Sequence, residues 1–431
     1  MAWAALLTGD LARRAREAVA ELAAALADER RGPWHASLGG GFAGRAVFYG
    51  YLVAIAPDGD ALDRAVAFRD RAVEEVAQAE LPPGLFGGYA GVAWTVEHLE
   101  RDAPCGGGDD DDDDAVAAVD DALVARLAIS PAPDDHDLIR GLAGIGVHAL
   151  ERIHRPSARD CLARVVTRLA ERGEPRGGGL AWRTRPEHLM PAMRAQFPDG
   201  LCNLGVAHGA PAVAVVLAGA CAAGIEVARA RPLLDAAMRW MLDGRLGEPS
   251  PSSFARWEVD GQPAMPARAA WCYGDPGVAL ALLVAARAVG EADWEREALA
   301  VARRAAARPI IASGVVDAGI CHGAAGLALM FHRLWQVGGT DDLAEAARRW
   351  YAYALDLRRP GAGIAGYQSW IPATPEQPGQ WDDDVAFLSG AAGIGLVLLA
   401  GLGVEPHWDR VLAASLPPRL AARATGCLAE R

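Results

Sequence analysis

The chain has 431 residues and a formal net charge of -13 at pH 7, with apolar residues at 52% and aromatics at only 6%. An acidic chain with no dense basic patch excludes a nucleic-acid-binding role, and this length can bury a core without disulfide staples. Alanine, leucine, valine and glycine dominate, which suits closely packed helices better than a sheet.

The N-terminus, MAWAALLTGDLARRAREAVAEL, lacks a basic start, and its apolar run is broken by Asp10 and Arg13, so no signal peptide is expected. Self-similarity begins at once. A Gly-x-x-Gly step, with Ala in one case, recurs at Gly41/Gly44, Gly88/Gly91, Gly141/Gly144, Gly209/Ala212, Gly274/Gly277, Gly323/Gly326 and Gly390/Gly393. Each step leads into a small-residue segment that is apolar nearly all round, as a helix buried on every side must be. Before each step lies an amphipathic helix, predicted near residues 10–29, 59–79, 115–129, 156–173, 229–243, 291–307 and 340–356. In the last of these Leu343, Ala346, Ala347, Trp350, Ala354 and Leu357 share one face.

Seven hairpins, each with one wet and one dry helix, are satisfied by closing on themselves. The fold class expected is all-α: a double-ring α/α toroid, one domain spanning residues 1–431, with every glycine step at the same mouth. An open solenoid is the rival, but neither end carries a polar cap. The uncharged run Gly205 to Ile225 is long enough for a membrane span. It is poor in large aliphatics and holds His208, Pro211 and several glycines, so a buried inner helix is expected and no transmembrane segment.

The connecting loops are unequal. Residues 106–114, GGGDDDDDD, read as a solvated tether. Three long loops, 175–203, 247–267 and 360–385, carry Trp182, Trp257, Tyr367, Trp370 and Trp381, and all precede glycine steps. They form either a packed lid or a groove for an extended peptide.

Seven cysteines at irregular spacing argue against a disulfide framework and for a reducing, cytoplasmic setting. Cys161, Cys202, Cys221 and Cys427 read as small buried hydrophobes, and Cys105 as exposed and inert. Cys272, in RAAWCYGDPG, and the adjacent pair Cys321 and His322 are different. Two thiolates and an imidazole are three of the four ligands Zn²⁺ prefers, and three protein ligands leave the fourth position open, which is catalytic in type. His98, His148, His154 and His332 fall on helices and read as structural or solvent-facing.

The stretches AWCYGDPG and CHGAAGLAL, preceded by NLGVAHGAPA and DLIRGLAGIG, resemble the signatures of the lanthionine synthetase C family, the LanC-type cyclases of lanthipeptide biosynthesis. The resemblance runs from the first glycine step to the seventh. It implies that Cys272, Cys321 and His322 bind Zn²⁺, that His208 and Asp137 lie near the metal, and that Arg268 and Tyr273 are the active-site arginine and tyrosine. It also implies a free-standing cyclase acting on a dehydrated precursor peptide, with a lanthipeptide dehydratase and an exporter as partners in a maturation complex.

The chemistry so implied is addition of a peptide cysteine thiol to dehydroalanine or dehydrobutyrine, giving (methyl)lanthionine thioether rings. His208 is the choice for general acid, Asp137 orients it, Arg268 polarises the carbonyl, and Tyr273 donates a proton or a hydrogen bond. Two alternatives stand beside this. One is a non-catalytic relative that holds glutathione or a peptide as a scaffold. The other is a different toroidal enzyme, such as a prenyltransferase or a glycan hydrolase, but those lack the adjacent Cys-His pair.

Overall fold

The structure is a computed structural model that describes residues 3–28, 32, 35–106, 114, 116–129, 135–373, 378–418 and 420. Its helices alternate between two rings. The outer ring contains α1 (Gly9–Leu26), α3 (Ala61–Gln78), α5 (Ala117–Leu127), α7 (Pro156–Arg172), α10 (Val227–Asp243), α12 (Ala292–Ala306) and α14 (Asp341–Asp356). The inner ring contains α2 (Phe42–Leu52), α4 (Tyr89–Arg101), α6 (Leu142–Glu151), α9 (Ala210–Ala222), α11 (Asp275–Val289), α13 (Ala324–Gly338) and α15 (Ala391–Gly401). A short helix, α8 (Pro191–Gln196), lies in one of the long loops. The expected outer helices are all present, with ends moved by no more than three residues.

Sequence pattern explains the two layers. The outer helix α14 buries Leu343, Ala346, Ala347, Trp350 and Ala354 along one stripe and keeps its acidic first turn in solvent. The inner helix α15 buries every residue. Removing each of its leucines from water contributes about 1.5–3 kcal/mol, so the inner ring supplies much of the core. The uncharged run before Ile225 becomes α9, buried among other helices. Among the described residues no helix is long and apolar enough to cross a membrane.

The ring closes. Each inner helix packs on the next, α2 on α4, α6, α9, α11, α13 and α15 in turn, and α15 returns to α2. The outer helix α1 packs on α15, at the other end of the chain. This junction is stitched by Trp3 Nε1 donating to Ala400 O (2.8 Å) and by Leu6 and Leu7 N–H donating to Gly401 O. An open solenoid is thereby excluded.

All seven first glycines of the steps are the N-cap residues of the inner helices. The turns before them are joined by a circuit of backbone hydrogen bonds. Gly39 N–H donates to Phe86 O, Phe86 to Ile139, Leu138 to Ala207, Ala207 to Cys272, Cys272 to Cys321, Cys321 to Leu388, and Phe387 back to Gly39. Backbone groups left over at helix N-termini thus find partners in the neighbouring repeat. The second glycine of a step is needed for close approach: a Cβ on Gly91 would stand 1.7 Å from Leu85 O.

The all-α expectation holds, with short strands added in the loops. The chain is mostly helical, but the long mouth loops contain strands that propensity did not reveal. β1 (Gly173–Arg176), β2 (Gly179–Thr184), β3 (Leu201–Asn203) and β4 (Trp257–Glu258) form an antiparallel sheet in that order, and β5 (Ser369–Ile371) pairs with β6 (Gln380–Asp382). Partners distant in sequence decide these short strands. Of the loop aromatics, Trp182 and Tyr367 are buried, Trp370 and Trp381 pair edge to face at 5.2 Å, and Trp257 stands over the site described below. Trp182 and Tyr367 thus pack as a lid would, whereas Trp381 is exposed.

Most of the acidic run 106–114 lies outside the described residues, as does Cys427. Its last member, Asp114, is no free tether, because both its carboxylate oxygens accept from one guanidinium nitrogen of the buried Arg152. Cys105 is half-buried against Gly50 and Leu99 rather than exposed, and Cys221 is half-buried rather than fully buried. His98, His148 and His332 are fully buried on helices with hydrogen-bond partners, and His154 lies in a turn beyond α6.

Candidate metal centre

The glycine-step turns place side chains at the mouth in a fixed register. Cys272 and Cys321 stand two residues before the N-cap glycines Gly274 and Gly323. His208, Tyr273 and His322 stand one residue before Gly209, Gly274 and Gly323. These are three consecutive repeats, so neighbours around the ring become neighbours in space. The hydrogen bond from Cys272 N–H to Cys321 O (3.1 Å) fixes the two turns directly.

As a result, one ligand atom from each of Cys272, Cys321 and His322 lies within 4.8 Å of the other two. Zn–S bonds of about 2.3 Å and Zn–N bonds of about 2.0 Å set the spread that a tetrahedral site demands. The trio falls in that range, it is rich in sulfur, and Cys321 and His322 are only half-buried. The residues therefore fit a zinc ion.

The electrostatics agree. The Cys272 thiol is drawn below the usual thiol range, chiefly by its hydrogen bond with Cys321 and also by His322 and the charge of Arg268, while burial opposes the shift. That same bond, with burial, pushes Cys321 well above the usual thiol range. His322 is raised by its contact with the Cys272 sulfur. Two buried thiols in contact resist being ionised together, so a bound cation is what would let both sulfurs serve as thiolates. The positive ends of the inner helices also point toward this mouth.

Around the trio, His208 Nδ1 lies 2.7 Å from Asp137 Oδ2, and the other oxygen of Asp137 accepts from Arg140 N–H at 2.7 Å. The Tyr273 ring is 5.9 Å from that of His208 and stands at right angles to Trp257. Burial raises the Tyr273 phenol above its ordinary range. Arg268 donates from one guanidinium nitrogen to Gly314 O (2.7 Å) and His322 O (3.2 Å), bracing the turn that carries the histidine. All seven residues expected from the sequence thus gather at one end of the ring.

Two neighbours were missed. Asn203 is buried and donates from Nδ2 to the Tyr273 hydroxyl at 3.0 Å. Asp317 is buried, with one oxygen accepting from Trp370 N–H (3.1 Å) and lying 3.9 Å from His322 Nε2. A signal for both was present. Six residues before the step glycine, repeats three to seven carry Asp135, Asn203, Arg268, Asp317 and Asp384, a polar side chain each time.

A second group, His98, Asp102 and Glu151, also has ligand atoms close enough to share a metal. There Arg410 already bridges Asp102 (2.7 Å) and Glu151 (2.9 Å), so a guanidinium supplies the positive charge.

The model of the lanthionine synthetase C-like protein family matches residues 32–412. Among solved structures, the nisin cyclase superimposes with a TM-score of 0.70 over 93% of this chain and 97% of its own, at 18% sequence identity. No curated protein sequence matches the chain.

Proposed function

This chain belongs to the lanthionine synthetase C-like family, and we propose that it is a zinc-dependent lanthipeptide cyclase. In this reading it adds peptide cysteine thiols to dehydroalanine or dehydrobutyrine, forming (methyl)lanthionine rings in a dehydrated precursor. The observation that carries the proposal is the convergence of Cys272, Cys321 and His322 beside the His208–Asp137 pair at one mouth.

Cys272, Cys321 and His322 would hold the zinc, which when bound supplies an open position at which a thiol, with an ordinary pKa near 8.5, ionises at neutral pH. The remaining steps belong to the protein. Sulfur bonds to the β-carbon, the C=C electrons move to the acyl oxygen, and a proton then reaches the α-carbon, so the thiol's proton is conserved overall. His208 is the group assigned to that transfer, since imidazole exchanges protons near neutral pH. Asp137 takes the Nδ1–H, which directs Nε2 to the substrate. Arg268 braces the His322 turn and places positive charge beside the sulfurs. Tyr273 offers a hydrogen bond to the oxygen where charge develops. The peptide would lie across the mouth under Trp257, and a dehydratase and an exporter are the expected partners.

The test is to incubate purified, zinc-loaded protein with a dehydrated, cysteine-containing precursor and count free thiols. Loss of thiols without change in peptide mass supports cyclisation. Unchanged thiols in a protein carrying one zinc would point instead to a peptide- or glutathione-binding relative, and absence of stoichiometric zinc would sink both readings.

A further inference from the structure

Asn203 ends β3, pairs across to Trp257 of β4, and is buried. Its side chain is held at both ends. Oδ1 accepts the backbone N–H of Gly205 at 2.9 Å, and Nδ2 faces the Tyr273 hydroxyl at 3.0 Å. A backbone N–H can only donate, so the oxygen of the amide must face Gly205 and the NH₂ must face the phenol. The Tyr273 oxygen therefore receives a hydrogen bond from Asn203, and its own hydrogen is directed elsewhere. Tyr273 and His208 are each half-buried, with rings 5.9 Å apart.

We propose that Asn203 is a positioning residue that sets the polarity of Tyr273, making the phenol a hydrogen-bond donor toward the substrate's acyl oxygen. This rests on the cyclase reading above. The phenol keeps its proton throughout; the bond strengthens as negative charge reaches the oxygen, and Asn203 removes the competing acceptor that would otherwise turn the hydroxyl away.

The consequence inverts the usual order of mutational damage. Asn203→Asp is nearly isosteric and still accepts from Gly205, but it presents a carboxylate to Tyr273 and makes the phenol donate to it. Asn203→Ala loses both bonds yet leaves the hydroxyl free to reach the substrate. With zinc content verified, Asn203→Asp is expected to lower kcat about 10²-fold, comparable to removing an oxyanion donor. KM should be unchanged, and Asn203→Asp/Tyr273→Phe should be no slower than Tyr273→Phe alone. Asn203→Ala should lose less than tenfold in kcat while melting at a lower temperature.

A readout independent of turnover is the carbon-13 Cζ resonance of Tyr273, which should move downfield in Asn203→Asp as the phenol begins to donate to a carboxylate. An alanine variant slower than the aspartate variant, additive loss in the double variant, or an unmoved Cζ resonance overturns the proposal. A wild type that binds zinc but never consumes thiols, with the Cζ shift intact, would instead count against the cyclase reading alone.

Discussion

His208 and Asp137 belong to adjacent inner repeats, 71 residues apart, yet Nδ1 of the imidazole and Oδ2 of the carboxylate are 2.7 Å apart. Asp137 is buried and its second oxygen is fixed by Arg140 N–H, whereas the histidine side chain is 31% exposed at the mouth. One partner is anchored and the other is presented.

That asymmetry separates two variants. His208→Ala is expected to lower the cyclisation rate about 10²–10⁴-fold, as loss of a general acid or base does. Asp137→Asn should also slow turnover, because an amide can offer its NH₂ to the ring and select the wrong tautomer. Neither should change zinc stoichiometry; elemental analysis beside the kinetics checks this, and zinc lost on His208→Ala would assign that histidine to the metal instead.

Asp317 faces His322 Nε2 at 3.9 Å and also accepts the N–H of Trp370, so it touches both a candidate ligand and the β5–β6 hairpin. Asp317→Asn is expected to weaken zinc binding about 10–100-fold, the usual cost of losing a carboxylate behind a ligating histidine. Chelator competition measures it. Wild-type affinity in the variant would confine Asp317 to holding the hairpin.

Acid should loosen the seam of the ring. His332 on α13 accepts from the Tyr351 hydroxyl and donates to Ala4 O, and burial lowers its pKa from 6.5 to about 3. The folded value is depressed, so this neutral histidine contributes fully above pH 6.5, and the contribution declines as pH falls toward 3 because only the unfolded chain takes up the proton. Each unit in that window costs about 1.4 kcal/mol. Denaturant midpoints measured across it should show one more proton bound on unfolding in the wild type than in His332→Gln; equal pH slopes would contradict the assignment.

The glycine steps differ in what they tolerate. Gly91→Ala would place a methyl 1.7 Å from Leu85 O, so the turn must move, and a loss of about 3 kcal/mol or more is expected. Position 212 already carries alanine, and Ala212→Gly should cost only about 1 kcal/mol, the propensity difference within a helix. Thermal unfolding of the two variants compares them; similar losses would show that the close approach at Gly91 is relieved cheaply.

The repeat pattern by itself determined the ring. Seven glycine steps, each before an apolar run and after an amphipathic one, leave few other ways to bury every dry face, and the outer helices appear within three residues of their expected ends. The Cys272, Cys321 and His322 motifs were legible for the same reason, since register along the turn fixes which side chains meet at the mouth. Tertiary structure alone decided the rest. The strands in the mouth loops, the half-burial of Cys105, the Asn203–Tyr273 bond and the Asp317–Trp370 link all depend on partners brought together by ring closure. A hydrogen bond between residues 70 positions apart, like that from Asn203 to Tyr273, leaves no periodic trace in local sequence, because its energy comes from geometry that exists only after the helices have packed.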